Sequence, residues 1–176
     1  MPLNQIKVYN DLLELVFMGE KERIVSLRKI FDRDIVNNHS FKFRDKCVRP
    51  IKKDGIPALE SLFQHLTHAS VIKSENDRSF KSRSEFDVKR SERLHWIWHH
   101  IQEKEDVKTF STKDRKGGKD VIRTYIWDKE ENYTIVLEPY RNRKDYYLLS
   151  AYYLQKEKGG IKAMQKRYKR RLNEVY

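Results

Sequence analysis

Six histidines, at positions 39, 65, 68, 95, 99 and 100, are the side chains of this sequence best suited to moving protons near neutrality. His95 and His99 stand four apart, a spacing that sets two ligands on one helical face. The HWIWHH run that holds them lacks the glutamate of a zinc-protease motif, and packing of an amphipathic helix accounts for the pair equally well. No metal site and no cofactor is therefore expected. No glycine-rich phosphate loop is present, and Gly117-Gly118 alone reads as a hairpin turn.

Cleavage of an RNA phosphodiester needs neither metal nor cofactor. It needs one group to take the 2′-OH proton, another to protonate the leaving oxygen, and a cation or donor on the phosphate. The chain has residues of these types. His65, with His68 close behind, sits at the end of a helical pattern. Arg123 lies on a strand, with the Tyr125 hydroxyl two residues on. Ser150 interrupts the run DYYLLSAYYL, Asp145 to Leu154.

Aromatic and bulky apolar residues suit a half-buried strand, and alternation places Ser150 on one face with Tyr146, Leu148, Tyr152 and Leu154. Its hydroxyl either bonds a neighbouring carbonyl or serves the site. Tyr146 and Tyr152 either pack or stack a base. Val121, Arg123, Tyr125 and Trp127 share one strand face, and Ile122, Thr124 and Ile126 make the better core face.

Several elements must position these residues. Leu3, Ile6, Tyr9, Leu12, Leu13, Val16 and Phe17 predict an amphipathic helix stopped by Gly19. RIVSLRKI (23–30) and SFKFR (40–44) predict strands, with a turn at Asn37-Asn38. Pro57 starts a helix through Leu66, with Leu59, Leu62, Phe63 and Leu66 as its stripe. The polar stretch Lys73 to Arg83 reads as a surface loop. Asp87 caps a third helix carrying Val88, Leu94, Ile97, Trp98 and Ile101.

Four strands follow, 107–112, 121–127, 133–138 and 146–154, with connections too short for parallel return. The fold class expected is α+β: helices on one face of a four-stranded antiparallel meander, and a basic C-terminal helix with the stripe Ile161, Met164, Tyr168, Leu172 and Val175. Residues 1–56 form a small accessory α/β layer, and 57–176 the main domain.

The chain has 176 residues, 38% hydrophobic and 36% charged, with a formal charge of +12. That composition suits one folded domain and polyanionic partners. From Leu154 onward eight lysines and arginines face two glutamates, and these include Lys166, Arg167, Lys169, Arg170 and Arg171. Arg141, Arg143 and Lys144 form a second basic group before the Ser150 strand. The helix stripe is too thin for a membrane surface, so nucleic acid is the favoured partner over a solvated helix. No apolar run reaches the ~18 residues of a membrane span. The lone Cys47 gives no disulfide framework, and a cytoplasmic protein is expected.

FQHLTH (63–68), RSERLHWIWHHI (90–101), RTYIWDKEENYTIVLE (123–138) and DYYLLSAYYL (145–154), in that order before a basic stretch, resemble the phage-encoded members of the barnase–EndoU–colicin–RelE group of small RNases. The resemblance covers about 60% of the chain, Phe63 to Lys169. It implies a metal-independent endoribonuclease acting on RNA, with tRNA among the substrates, as a toxin or mobile-element effector paired with an immunity or antitoxin protein. It also implies a helix histidine, a strand cation and a late-strand hydroxyl as the site: His65, Arg123 and Ser150. Relatives tend to have glycine where His68 stands and commonly threonine where Ser150 stands. Two other readings are kept: a nucleic-acid-binding module without catalysis, and an inhibitor domain meeting an acidic protein.

Overall fold

The computed structural model describes residues 3–72 and 81–176. The strand expected at Arg23 to Ile30 is instead a helix, α1 (Glu20–Phe31), continued by a π-helical stretch, Asp32–Val36. Its buried Leu27, Ile30 and Phe31 follow helical spacing, and Val25, which argues for a strand, is exposed. Glu22 Oε2 accepts the Gly19 N–H at 3.2 Å at its start.

The expected N-terminal helix is corrected the other way. Only Leu3–Ile6 forms a turn of 3-10 helix. Beyond it Leu13 and Leu15 are buried at alternate positions while Val16 and Phe17 are exposed, the pattern of extended chain. A side chain holds this segment. Buried Asn4 accepts from Glu14 N–H (2.8 Å) and donates to the Glu14 carbonyl (3.1 Å) and to Ser26 Oγ (3.1 Å).

Strands β1 (Lys42–Phe43) and β2 (Lys46–Pro50) precede a short hairpin, β3 (Lys52–Lys53) and β4 (Ile56–Pro57). Helix α2 (Leu59–Thr67) starts two residues after Pro57 and buries Leu62, Phe63 and Leu66. Strands β5 (His68–Ile72) and β6 (Lys81–Phe86) pair antiparallel. Of the surface loop expected at 73–83, residues 73–80 lie outside the described ones, and Lys81 to Arg83 belong to β6.

The third helix is broken into α3 (Val88–Ser91), capped by the Asp87 carboxylate on the Arg90 N–H, and α4 (Trp96–Ile101). Then come β7 (Lys108–Lys116), β8 (Lys119–Asp128), β9 (Tyr133–Pro139), β10 (Tyr146–Tyr153) and α5 (Gly160–Lys169). The last helix stops at Lys169, short of the stripe expected to Val175. The tail turns back to the sheet, where Leu172 N–H donates to the Ser111 carbonyl and Tyr176 N–H to Ser111 Oγ.

The fold is α+β, but the main sheet has six strands, not four, in the order β1-β2-β10-β9-β8-β7. Strand β2 lies parallel to β10 over Tyr146 to Leu148, and the other neighbours are antiparallel. Val48 to Pro50 of β2 thus supply backbone partners to a β10 edge that would otherwise stand open. Leu27, Phe31 and Phe43 share a core with Leu62, Phe63, Ile135, Leu137 and Leu148. The opposite face is apolar too: Phe110, Tyr125, Trp127, Val136 and Leu154 pack with Met164 of α5. Helices therefore cover both faces of the sheet, correcting the one-faced expectation.

Asp128, 4% exposed, ties distant segments together. Its Oδ2 accepts from the Tyr9 hydroxyl (3.0 Å) and lies 2.8 Å from His100 Nε2, and its Oδ1 accepts the Glu131 N–H (3.0 Å). Nearby, burial holds His95 below the ordinary histidine pKa. As pH falls through about 6.5 the unfolded chain takes that proton first. Native stability should therefore drop between pH 7.5 and 5.5. Thermal melts of His95→Phe at both pH values should show a smaller drop than wild type.

Among the described residues no helix is long and apolar enough to cross a membrane.

Candidate active site

The site turns on an irregularity in β10. Leu148 pairs with Leu137 and Ser150 with Val136, so Leu149 is an extra residue, a β-bulge. The bulge shifts the alternation by one. Tyr146, Leu148 and Ala151 belong to the core beneath α1 and α2, whereas Tyr152 and Leu154 pack on the α5 face. Ser150, opposite Val136, is on that second face. The expectation that Ser150 shares a face with Tyr146 and Leu148 is overturned. Tyr146 is 2% exposed and packs edge-on to Phe43, with its hydroxyl bonded to the Tyr176 carbonyl, so it is a core residue and not a base-stacking one.

Register puts Tyr125, Val136 and Ser150 in one row across β8, β9 and β10, with Arg123 two residues along from Tyr125. Beyond Leu148, where β2 ends, α2 and α3 reach the β10 edge. His65 Nδ1 lies 3.3 Å from the Leu149 carbonyl in the bulge. Donation to that oxygen places the imidazole proton on Nδ1 and the lone pair on Nε2. Arg90 Nη1 donates to the His65 carbonyl (2.5 Å) and, more loosely, to Ser150 Oγ (3.4 Å).

These side chains surround a cavity of about 280 Å³. His65, Arg123, Tyr125, Ser150 and Tyr152 all line it, together with Arg90, Lys116 and Arg167. The sequence does not mark Arg90 and Lys116 as site residues. A signal for Arg90 exists: it stands in the first turn of a helix, where the dipole disfavours a cation. Lys116 closes a hairpin and reads as turn chemistry. His68 does not line the cavity. Its Nδ1 is 2.8 Å from Thr67 Oγ1, its ring meets Phe86, and burial, aided by the Arg90 charge, lowers its pKa.

Four cations and no carboxylate line the cavity. The nearby acids are engaged elsewhere. Asp114 accepts from the Tyr125 hydroxyl (2.6 Å) and from Thr112 Oγ1 (2.9 Å), leaving Arg123 Nη1 3.8 Å away. Asp87 is 3.7 Å from Arg90 Nε. Neither Arg90 Nε nor Arg123 Nε, both buried, donates a hydrogen bond to the protein. Burial raises the Tyr152 pKa, opposed by the positive charges of Arg167, Arg90 and Arg123, which line the same cavity from α5, α3 and β8. Burial and the Asp114 bond raise the Tyr125 pKa also, which keeps it a hydroxyl donor.

The basic residues outside the cavity divide. Lys166, Lys169, Arg170 and Arg171 are exposed along and after α5, with the Arg171 guanidinium 4.3 Å from the Tyr168 ring. Arg141, Arg143 and Lys144 are exposed on the β9–β10 loop, where Arg143 lies over Tyr176. Of the histidine pair spaced for a metal, His95 is buried and His99 pairs with Glu105 at 2.9 Å. Among the described residues no group of three His, Cys, Asp or Glu could hold a metal ion. No family model, no curated protein and no solved structure matches the chain.

Proposed function

We propose that the protein is a metal-independent endoribonuclease whose cavity takes an RNA phosphodiester and cleaves it by transesterification. The observation that carries this reading is the convergence of four cationic donors, Arg90, Lys116, Arg123 and Arg167, on a cavity that no carboxylate lines and that also holds a histidine and three hydroxyls. Such donors suit the equatorial oxygens of a phosphate, and they strengthen as charge builds in the transition state.

In this reading Arg123 and Arg90 hold the phosphate, Ser150 donates a hydroxyl hydrogen bond to it, and Tyr125, its proton held by Asp114, lines the approach. His65 is the acid–base residue, acting through Nε2 while Nδ1 stays on the Leu149 carbonyl. Attack of the 2′-oxygen on phosphorus breaks the bond to the 5′-oxygen, so the products are a 2′,3′-cyclic phosphate and a 5′-hydroxyl. His65 takes the 2′-OH proton, and water protonates the departing 5′-oxygen. The resemblance of four ordered sequence stretches to the barnase–EndoU–colicin–RelE RNases supports the same conclusion, and with it a toxin-like role and tRNA among the substrates.

The test is cleavage of total tRNA and of an unstructured RNA by the purified protein in excess EDTA. Cyclic phosphate ends should appear, and Ser150→Ala should cleave about tenfold to a hundredfold more slowly as a hydroxyl donor to the phosphate is lost. Intact RNA in every lane, with RNA still bound at a log–log salt slope of about −0.7 per phosphate contacted, would replace the nuclease by a binding module.

A further inference from the structure

A second hollow adjoins the cavity. It has a volume of about 380 Å³, and Arg49, Pro50, Lys52, Tyr140 and Asp145 are among the residues that line it. Pro50 and Lys52 face this hollow while Ile51 between them lines the cavity, so one residue of β-chain separates the two. The Tyr140 ring is stacked on Tyr147, with centroids 4.0 Å apart and planes 26° apart. Tyr147 stands opposite Glu138, which is two residues from the Val136 that faces Ser150. Two strand spacings, about 10 Å, separate the Tyr147 row from the β8 row of Arg123, a separation of nucleotide dimensions.

The loop that carries Tyr140 is built rather than loose. Tyr140 N–H donates to the Asp145 carbonyl (2.9 Å), Arg143 N–H to the Tyr140 carbonyl (2.8 Å), and Lys144 N–H to Asn142 Oδ1 (3.0 Å). Asp145 in turn accepts from Cys47 N–H (3.2 Å) and from Arg49 Nε (3.0 Å). The one carboxylate of the hollow is thereby satisfied. Lys52, which lines the hollow, and the loop residues Arg141 and Lys144 stay exposed. Aromatic surface beside exposed cations is the chemistry that grips an unpaired nucleotide, base on the ring and phosphate on the cations.

We propose that Tyr140, backed by Tyr147, stacks the base of the nucleotide next to the scissile phosphate, so that the enzyme requires RNA unpaired at that position. A base held in a duplex offers no open face, and the hollow would then reject paired RNA. This proposal rests on the nuclease reading of the neighbouring cavity.

The experiment uses the full chain and three RNAs: an unstructured oligonucleotide, the same oligonucleotide with one abasic residue beside the cleaved bond, and the oligonucleotide annealed to its complement. KM and kcat are measured for wild type, Tyr140→Phe and Tyr140→Leu, with thermal melts to show that each folds. Wild type should lose about tenfold in KM on the abasic RNA, in line with the worth of one base stack, and should leave the duplex uncleaved. Tyr140→Phe, which keeps the ring, should retain the abasic penalty, and Tyr140→Leu should lose it, binding both single strands equally poorly. Equal KM for wild type on normal and abasic RNA, or efficient duplex cleavage, would overturn the proposal. If no variant cleaves, the nuclease reading fails, and fluorescence anisotropy on the same RNAs decides the stacking alone. A tenfold abasic penalty removed by Tyr140→Leu would support it, and its absence would end it.

Discussion

His65→Ala should lower kcat on RNA by about 10²–10⁴-fold, the usual worth of one positioned acid–base group, with RNA affinity changed only a few-fold. The argument is positional. His65 comes to the cavity because β2 stops at Pro50, opposite Leu148, and α2 ends against the bulge, where the Leu149 carbonyl meets the Nδ1 atom. His68, three residues on, is beyond the helix on β5 with its ring beside Phe86. His68→Ala should therefore keep kcat within severalfold of wild type. The pH profile of kcat/KM separates the two again: His65→Ala should lose a limb near neutrality that His68→Ala retains. The reverse pattern, with activity lost in His68→Ala and kept in His65→Ala, would move the acid–base role to His68.

Asp128→Ala should be among the most destabilising single changes in the chain, by about 3–5 kcal/mol, read as a fall in Tm of roughly 10 °C or more. Burial alone would raise the Asp128 pKa, yet the bonds from His100, the Glu131 N–H and the Tyr9 hydroxyl outweigh it and hold the carboxyl below its usual range. The folded state therefore keeps an ionised group in its interior, and three partners depend on it. Removing the carboxylate strands His100, 1% exposed, and frees the N-terminal segment at Tyr9. Tyr9→Phe should cost far less, since it deletes one half-exposed bond, and the double variant should add little to Asp128→Ala. Additive losses in the double variant would mean that the two residues act independently.

Much of this arrangement is legible in the sequence, for reasons that differ by element. Strands β7 to β10 announce themselves because turn chemistry at Gly117-Gly118 and at Asn132 interrupts long aromatic and β-branched runs. Arg123 and Tyr125 follow from alternation along β8. Helix α1 does not, because Ile24 and Val25 argue locally for a strand while the deciding spacing of Leu27, Ile30 and Phe31 overlaps them. The pairing of β2 with β10 is a contact between residues nearly 100 apart, and no local pattern encodes it. The bulge is invisible for a related reason: YYLLSAYYL is apolar on both sides of the shift, so alternation alone offers no phase to break. Arg90 shows only its odd place in a helix's first turn, because its role is set by the His65 carbonyl, a group that sequence does not display.

One consequence of the extra residue at Leu149 concerns how this protein could vary. It changes which alternate residues of β10 meet the core: Tyr146 and Leu148 do so before it and Ala151 after it, while Ser150 and Tyr152 line the cavity. A saturation screen along the strand should therefore split cleanly, with changes at Tyr146 and Leu148 lowering folded yield and changes at Ser150 and Tyr152 lowering turnover in protein that still folds. Losing a single codon at position 149 would leave Ser150 opposite Val136 and Ala151 opposite Ile135, every face kept. It would remove the residue whose carbonyl meets His65 Nδ1, so the fold should survive while turnover falls.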